Sequence, residues 1–461
     1  MTNLEQIFNQ KTTENGDIAF VRPSSNDLAN ILFMTEYYTQ QLSSTPVLEP
    51  TDRNQLFSMM IRDPRFGFGK RDLGRVLMKD TGVSFNDIVL AGRFDDIWHM
   101  YDVSNNSEAS KYLFKSCLDN NLLCKKWMPR FTKKNKLTKT RTEKEEYVLQ
   151  KACDLAKSFQ MNKQQYGKFI KVETTESNLT NKTTDKIRFE SVPSLAMIKY
   201  YNRFSNGADT RDRFATYCEN VKNGKSKINT AVTTCYDIYK NRDKIDADLF
   251  FDKLNKISGS WIPIVDTSAS MMSNDSMGKA LSIGHYLSKC STYAPNKVIS
   301  FSSEPRLIDI TKKSRQNNYS YRFQTDKPSN YMNEISAMYT GDISNTDFGK
   351  VMKLLKHLDD MPEYLIVLSD MEFDAGSAQS KTELQNLWNE KGYTTKIIWW
   401  NLNDRNTTAP EMDNLGNIFM SGYNPTLLKY LEAGFDNEKF INKLLTEYEE
   451  NIRFLRYANS Q

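Results

Sequence analysis

The chain has 461 residues, 26 % of them charged and 39 % hydrophobic, with a formal net charge of +5. That composition excludes a fibrous or disordered chain and gives enough length for two or three packed domains. No apolar run approaches the roughly 18 residues of a membrane helix, and Met1–Asp17 lacks the basic-then-apolar order of a signal peptide. Six cysteines fall in no CxxC pair, which reads as reduced thiols in a cytoplasmic protein. Only three histidines are present, His99, His285 and His357, which argues against a His-rich zinc site and against His-based hydrolysis. Charge is unevenly divided. Residues 1–250 carry 39 Lys and Arg against 31 Asp and Glu, a net of +8; residues 251–461 carry 23 against 26, a net of −3. Any polyanion partner is expected on the first half.

In chain order, apolar residues at spacings of three and four predict helices over Asn26–Tyr38, Gln55–Ile61, Arg71–Lys79, Glu145–Ser158, Tyr166–Lys171 and Ala208–Lys222. Strand alternation is missing there, so the first half reads as a helical bundle or a stack of helix pairs. Arg65-Phe-Gly-Phe-Gly-Lys70-Arg71 lacks the spacing of a phosphate loop and reads as a turn into a helix. Its backbone amides, with Arg62, Arg65, Lys70 and Arg71, are still candidates to hold an RNA phosphate. The stretch Lys125–Lys144 carries nine Lys and Arg and one acid. Lys125, Lys126, Arg130, Lys133, Lys134 and Lys136 are its candidate phosphate contacts, with Trp127 and Phe131 available to stack on bases. The plain alternative is a solvated loop. Lys222, Lys225 and Lys227 form a smaller basic cluster, and Val172–Asp185 reads as a Thr/Asn-rich loop.

The texture changes near Lys256–Ser260. Apolar strands are expected at Trp261–Val265, Lys297–Phe301, Tyr364–Ser369, Lys396–Asn401 and Asn417–Met420. Between them lie helical stretches at Gly278–Lys289, Asp347–Leu358, Lys381–Asn389 and Asp436–Leu455. Strands alternating with helices predict an α/β domain with a largely parallel sheet, whose ligands collect at the carboxyl ends of the strands. Two strands end in aspartate, Asp266 and Asp370. The first continues as Asp266-Thr-Ser268-Ala-Ser270, and Asn345-Thr346-Asp347 opens a helix between them. Asp266, Ser268, Ser270, Thr346 and Asp370 would make an all-oxygen site of low charge, which suits Mg²⁺ or Mn²⁺. Otherwise Asp266 and Asp370 are strand-end or helix-capping residues. A single low-charge ion is poor equipment for hydrolysis, and no Ser-His-Asp or Cys-His set emerges, so no enzyme is expected.

The D-x-S-x-S pattern, the Thr346 loop and Asp370 resemble the metal-ion-dependent adhesion site of von Willebrand factor A domains, over residues 256–461. The resemblance implies Ser268, Ser270 and Thr346 as direct ligands and Asp266 and Asp370 in or beside the first coordination sphere. The longer stretches Val367–Asp374, Asn345–Val351, Trp399–Asp404 and Met420–Lys429 resemble an uncharacterised family of von Willebrand A proteins in plants, fungi and large viruses. So do Ile61–Asp72, Trp127–Arg130, Val192–Phe204 and Arg213–Asn229 in the first half. The architecture is similar to the Ro (TROVE) family. That resemblance implies a HEAT-like helical domain over 1–255, closed into a ring by a Rossmann-like von Willebrand A domain over 256–461. It also implies a monomer that binds structured or misfolded non-coding RNA. The rival expectations are a protein-interaction module, in which a partner's acidic side chain completes the metal's coordination, and a structural protein of a viral particle.

Overall fold

In the computed structural model, the residues described here are 9–12, 18–21, 55, 58–62, 71–90, 94–101, 108–131, 140–230, 232–301, 304–312, 329–339, 348–356, 360–370, 386, 388, 390–403, 411–412, 417–422, 426–435, 439 and 446. The chain forms two units. One comprises residues 39–187 and 441–461; the other comprises 1–38 and 188–440. The described helical stretch Ser58–Arg62 belongs to the first unit.

The first unit is helical throughout its described residues. Its helices are α1 (Arg71–Asp80), α2 (Phe85–Leu90), α3 (Asp96–Met100), α4 (Glu108–Asn120), α5 (Leu122–Trp127), α6 (Glu143–Ser158), α7 (Lys163–Phe169) and α8 (Thr175–Thr180). Helix starts are written locally. Thr142 and Glu145 form a reciprocal capping box on α6, as do Asn162 and Gln165 on α7, satisfying backbone N–H groups that would otherwise lack partners. The core gathers Met78, Ile88, Ile97, Phe114, Leu118, Leu155 and Tyr166. The predicted helices at 71–79 and 145–158 are present, and positions 55 and 58–61 are helical. Asn26–Tyr38 lies outside the described residues. The stretch Val172–Asp185, expected to be a loop, contains α8. Its β-branched, polar composition hides a Thr174–Ser177 capping box and a buried Asn178.

The second unit carries a seven-stranded sheet. Its strands are β3 (Trp261–Asp266), β4 (Lys297–Phe301), β5 (Arg306–Asp309), β6 (Tyr364–Ser369), β7 (Lys396–Asn401), β8 (Glu411–Met412) and β9 (Ile418–Ser421), in the order β5-β4-β3-β6-β7-β9-β8. The inner strands β4, β3, β6, β7 and β9 run parallel; β5 and β8 add antiparallel edges. A separate antiparallel pair, β1 (Asn9–Thr12) with β2 (Ile18–Val21), corrects the expectation of a first half without strands. The helices of this unit are α9 (Ser194–Asn206), α10 (Arg211–Lys222), α11 (Cys235–Asn241), α12 (Ala247–Asp252), α13 (Ser276–Cys290), α14 (Asn330–Met338), α15 (Phe348–Lys356) and α16 (Thr426–Glu432).

The central strands β3 and β6 are buried along their whole length, as both faces of a parallel sheet must be. On one face Ile262, Ile264, Leu365, Val367 and Trp399 pack with Phe348, Val351 and Leu355 of α15. On the other, α13 lies close against β3: a Cβ added at Gly284 would come within 2.5 Å of Val265 Cγ2. Helices α11 and α12 belong to this same unit, so the expected boundary at residue 255 falls inside it. The Asp248 carboxylate accepts the backbone N–H of Tyr331 at 2.7 Å, and Tyr286 Oη donates to the Asn255 carbonyl at 2.7 Å. The fold is thus helical in one unit and mixed helix and mainly parallel sheet in the other.

Candidate functional site

The site is built at the carboxyl edge of the sheet. β3 is an apolar strand whose last residue, Asp266, is fully buried. β6 pairs with it in parallel, Val265 opposite Leu368, which brings the next residues, Asp266 and Ser369, side by side. Ser369 Oγ donates to Asp266 Oδ2 at 2.6 Å. Asp266 Oδ1 accepts the backbone N–H of Ser268 at 2.9 Å, an Asx-type turn that folds the chain back over the strand end. That turn places Ser268 Oγ 3.1 Å from Ser270 Oγ. Asp370 follows β6 directly and is buried. Burial, and then the charge of Asp370, push the Asp266 carboxyl up to about 7, against the lowering effect of the bonds from Ser369 and Ser268.

The arrangement therefore has two buried carboxyl groups at adjacent strand ends and two serine hydroxyls in contact. Taking two carboxylates out of water is costly. A cation would offset that cost. The donors are all hard oxygens, and Asp266 already holds both of its oxygens in hydrogen bonds, which suits a carboxylate acting through a coordinated water. These residues fit Mg²⁺ or Mn²⁺. Among the described residues no group of three His, Cys, Asp or Glu side chains gathers as a metal cluster. Thr346 lies outside the described residues. Ser369 was not singled out from the sequence; its register beside Asp266, one residue before a strand-ending aspartate, was the available signal.

After Ser270 the chain makes a tight turn through Asn274 and Asp275, both with positive φ (49° and 58°), before α13 begins. Three bonds hold this turn and the following helix. Tyr236 of α11 donates its hydroxyl to the Asp275 carboxylate. Asn274 Nδ2 donates to Asn403 Oδ1 at 2.7 Å, and Lys279 Nζ to the Leu402 carbonyl at 3.0 Å. The loop carrying the serines is thus anchored to α11 and to the chain following β7. Deeper in the same unit, His285, which has no partner in the sequence pattern, holds Glu334 Oε2 at 2.6 Å, with Lys289 on the other carboxylate oxygen at 2.5 Å.

The candidate phosphate contacts divide. Arg62 is not available to RNA: it is 1 % exposed and its guanidinium is committed to Asp95 (3.2 Å) and Asp96 (2.9 Å). Arg75 binds the same two carboxylates at 3.0 and 2.7 Å. The Arg62 charge that looked free in the sequence is balanced by acids 33 and 34 residues away. Arg71 is exposed at the start of α1. Lys125 is half-buried, 3.2 Å from Asp119 and over the Phe169 ring. Lys126 lies 4.0 Å from Glu176 and 5.7 Å from the Trp127 ring. Arg130 is exposed. Arg65, Lys70, Lys133, Lys134 and Lys136 lie outside the described residues. In the smaller cluster, Lys222 pairs with Asp246 at 3.0 Å.

Comparison with known proteins gives two overlapping family matches. A domain of unknown function (DUF7788) matches residues 260–455, and another (DUF2828) matches residues 122–269. The chain is 24 % identical over 374 residues to the uncharacterised protein L728 of Acanthamoeba polyphaga mimivirus. The match takes in 73 % of this chain and spans 61 % of the length of the viral protein. Among solved structures, the Ro (RSR) protein of Deinococcus radiodurans aligns over 93 % of this chain and 95 % of its own. The TM-score is 0.37 and the identity 11 %. Among the described residues no helix is long and apolar enough to cross a membrane.

Proposed function

We propose that this chain binds RNA through its helical unit and holds a divalent cation at the sheet edge of the other. One observation carries the first part. The unit formed by residues 39–187 and 441–461 contains 29 Lys and Arg against 21 Asp and Glu, a net of +8, while the remainder has 33 against 36, a net of −3. The whole positive surplus thus sits on one folded unit, where it acts as a long-range attraction for a polyanion. Structured non-coding RNA, in the manner of Ro proteins, is the partner this reading names, with HEAT-like helices as the scaffold. The protein acts as a cytoplasmic monomer and binds rather than catalyses.

Gel-shift titration of a structured RNA at several salt concentrations tests this. Affinity should fall steeply with salt. Reversing Arg130, Lys133, Lys134 and Lys136 to Glu removes up to about four phosphate contacts, each contributing roughly 0.7–0.9 to the log–log slope, so the slope should flatten by about three units. Asp266→Ala should leave it unchanged, because that residue lies in the acidic unit. No shift at micromolar protein in low salt would refute RNA binding.

A second reading is favoured by the sheet-edge geometry. Asp266, Ser268, Ser270 and Asp370, with Thr346, form a von Willebrand A-type adhesion site in which Mg²⁺ or Mn²⁺ takes its last ligand from a partner's Asp or Glu. Both readings can hold at once, since they use different units. If RNA binding fails, the protein-interaction module is the account that remains.

A further inference from the structure

Five of the six tryptophans, Trp98, Trp261, Trp388, Trp399 and Trp400, are at most 6 % exposed. Trp127 is different: it stands 52 % exposed at the end of α5. Its surroundings are built around a second indole. Trp98 Nε1 donates to the Trp127 carbonyl at 3.1 Å. His99 stacks on Trp98 at 3.6 Å between centroids. Tyr147 of α6, 47 % exposed, lies 6.2 Å from His99 with the rings within 18° of parallel, and 6.3 Å from Trp98. The exposed Tyr147 ring thus lies beside the buried indole, whose N–H holds the backbone that carries the exposed Trp127.

Cations accompany both rings. Lys126 Nζ is 5.7 Å from the Trp127 ring, Lys151 Nζ is 5.8 Å from the Tyr147 ring, and Arg130 is exposed three residues beyond Trp127. Burial holds His99 neutral at physiological pH, so the ring stacked on Trp98 adds no charge beside Tyr147. Exposed aromatic faces with cations beside them are what a single strand of nucleic acid uses: bases stack on the rings and phosphates meet the cations. A duplex offers no free base face to such a surface.

We propose that Trp127 and Tyr147 form a stacking platform for the bases of single-stranded RNA, with Lys126, Arg130 and Lys151 meeting the flanking phosphates. This rests on the RNA-binding reading above and narrows it to unpaired ends or loops, read with little sequence preference. The +8 charge of the unit favours RNA over an apolar protein segment as the occupant, although Leu122 and Leu123 of α5 are exposed beside it.

Intrinsic fluorescence of the full chain tests the proposal, because the solvent-accessible emission comes from Trp127. Titration with a 12-nucleotide oligouridine should quench that emission and shield it from iodide. Trp127→Ala and Tyr147→Ala, both at exposed positions, should keep the circular dichroism and the melting curve yet weaken oligouridine binding about tenfold each. Trp127→Phe should retain the affinity and lose the fluorescence change. Oligouridine that binds with undiminished affinity to both alanine variants overturns the platform while leaving RNA binding intact. So does a structured hairpin that shifts when oligouridine does not. Trp127 emission that remains fully open to iodide at saturating RNA assigns the patch to a protein partner instead. Failure of oligouridine and hairpin alike at low salt sinks the platform together with the RNA-binding reading.

Discussion

His99 gives a direct test of the electrostatics of the helical unit. Burial, and then the positive charge of Arg75, depress its pKa from 6.5 to about 4. The folded protein therefore holds a neutral imidazole at pH values where the unfolded chain is protonated. Stability from this group is complete above about pH 6.5 and is lost as pH falls through about 4, because in that window the unfolded state binds a proton the native state refuses. At 1.36 kcal/mol per pKa unit the shift sets an upper limit of about 3 kcal/mol; the ring is only half-buried, and solvent screening leaves roughly half of that, of which about 1 kcal/mol is already lost at pH 5. Two measurements check it. The His99 imidazole should titrate near pH 4 by NMR, its signals assigned by their absence in His99→Phe; the chain has only three histidines. The stability of the wild type relative to His99→Phe should also drop by about 1 kcal/mol between pH 7.5 and pH 5. An imidazole that titrates at 6.5 or above, or a stability difference independent of pH, would show that the ring is not held out of water against Trp98 as described.

Three other outcomes are expected. Asp96→Leu leaves the buried Arg62 guanidinium short of its closest partner and should destabilise the helical unit by about 3 kcal/mol, read as a lowered urea midpoint; joining it with Arg62→Met should recover most of that. Asp266→Ala, and the pair Ser268→Ala with Ser270→Ala, should abolish Mn²⁺ binding in calorimetry while the circular dichroism stays unchanged; undiminished affinity in both would remove the metal assignment. Ser369→Ala deletes the hydroxyl that orients Asp266 and should weaken Mn²⁺ about tenfold, the usual effect of losing a group that positions a ligand.

The two aspartate-ending strands were legible because their chemistry is local. Trp261–Asp266 and Tyr364–Ser369 are apolar runs of strand length, and a carboxylate directly after such a run has few places to sit other than the sheet edge. Ser369 was hidden because a serine at the end of LIVLS looks like part of the buried run, and only the register with Asp266 reveals its role. Edge strands β5 and β8 escaped notice because four and two residues show too little periodicity. α8 was missed because Thr and Asn speak for loops by propensity, while its start is secured by a capping box.

The basic half shows the opposite limit: charge counted along a chain does not say where the charge is free. Arg62 belongs to a sequence cluster that resembles a phosphate cradle, yet in three dimensions it is neutralised by Asp95 and Asp96. Lys125 and Lys222 are likewise matched by Asp119 and Asp246. What survives this pairing is the surplus itself, because 29 cations cannot be matched by 21 acids within one unit. The aromatic positions behave in the same way. Trp98, His99, Trp127 and Tyr147 are spread over 50 residues and form no motif, and folding α3, α5 and α6 into one core brings them together. Phe131, read from the sequence as a stacking residue, instead packs edge-on against buried Tyr166 at 5.7 Å. The sequence thus places the candidate aromatic contacts on the stretch that carries Trp127 and Phe131. Selecting the ring that faces solvent required knowing that Tyr166 takes one of the two and that Trp98 leaves the other exposed.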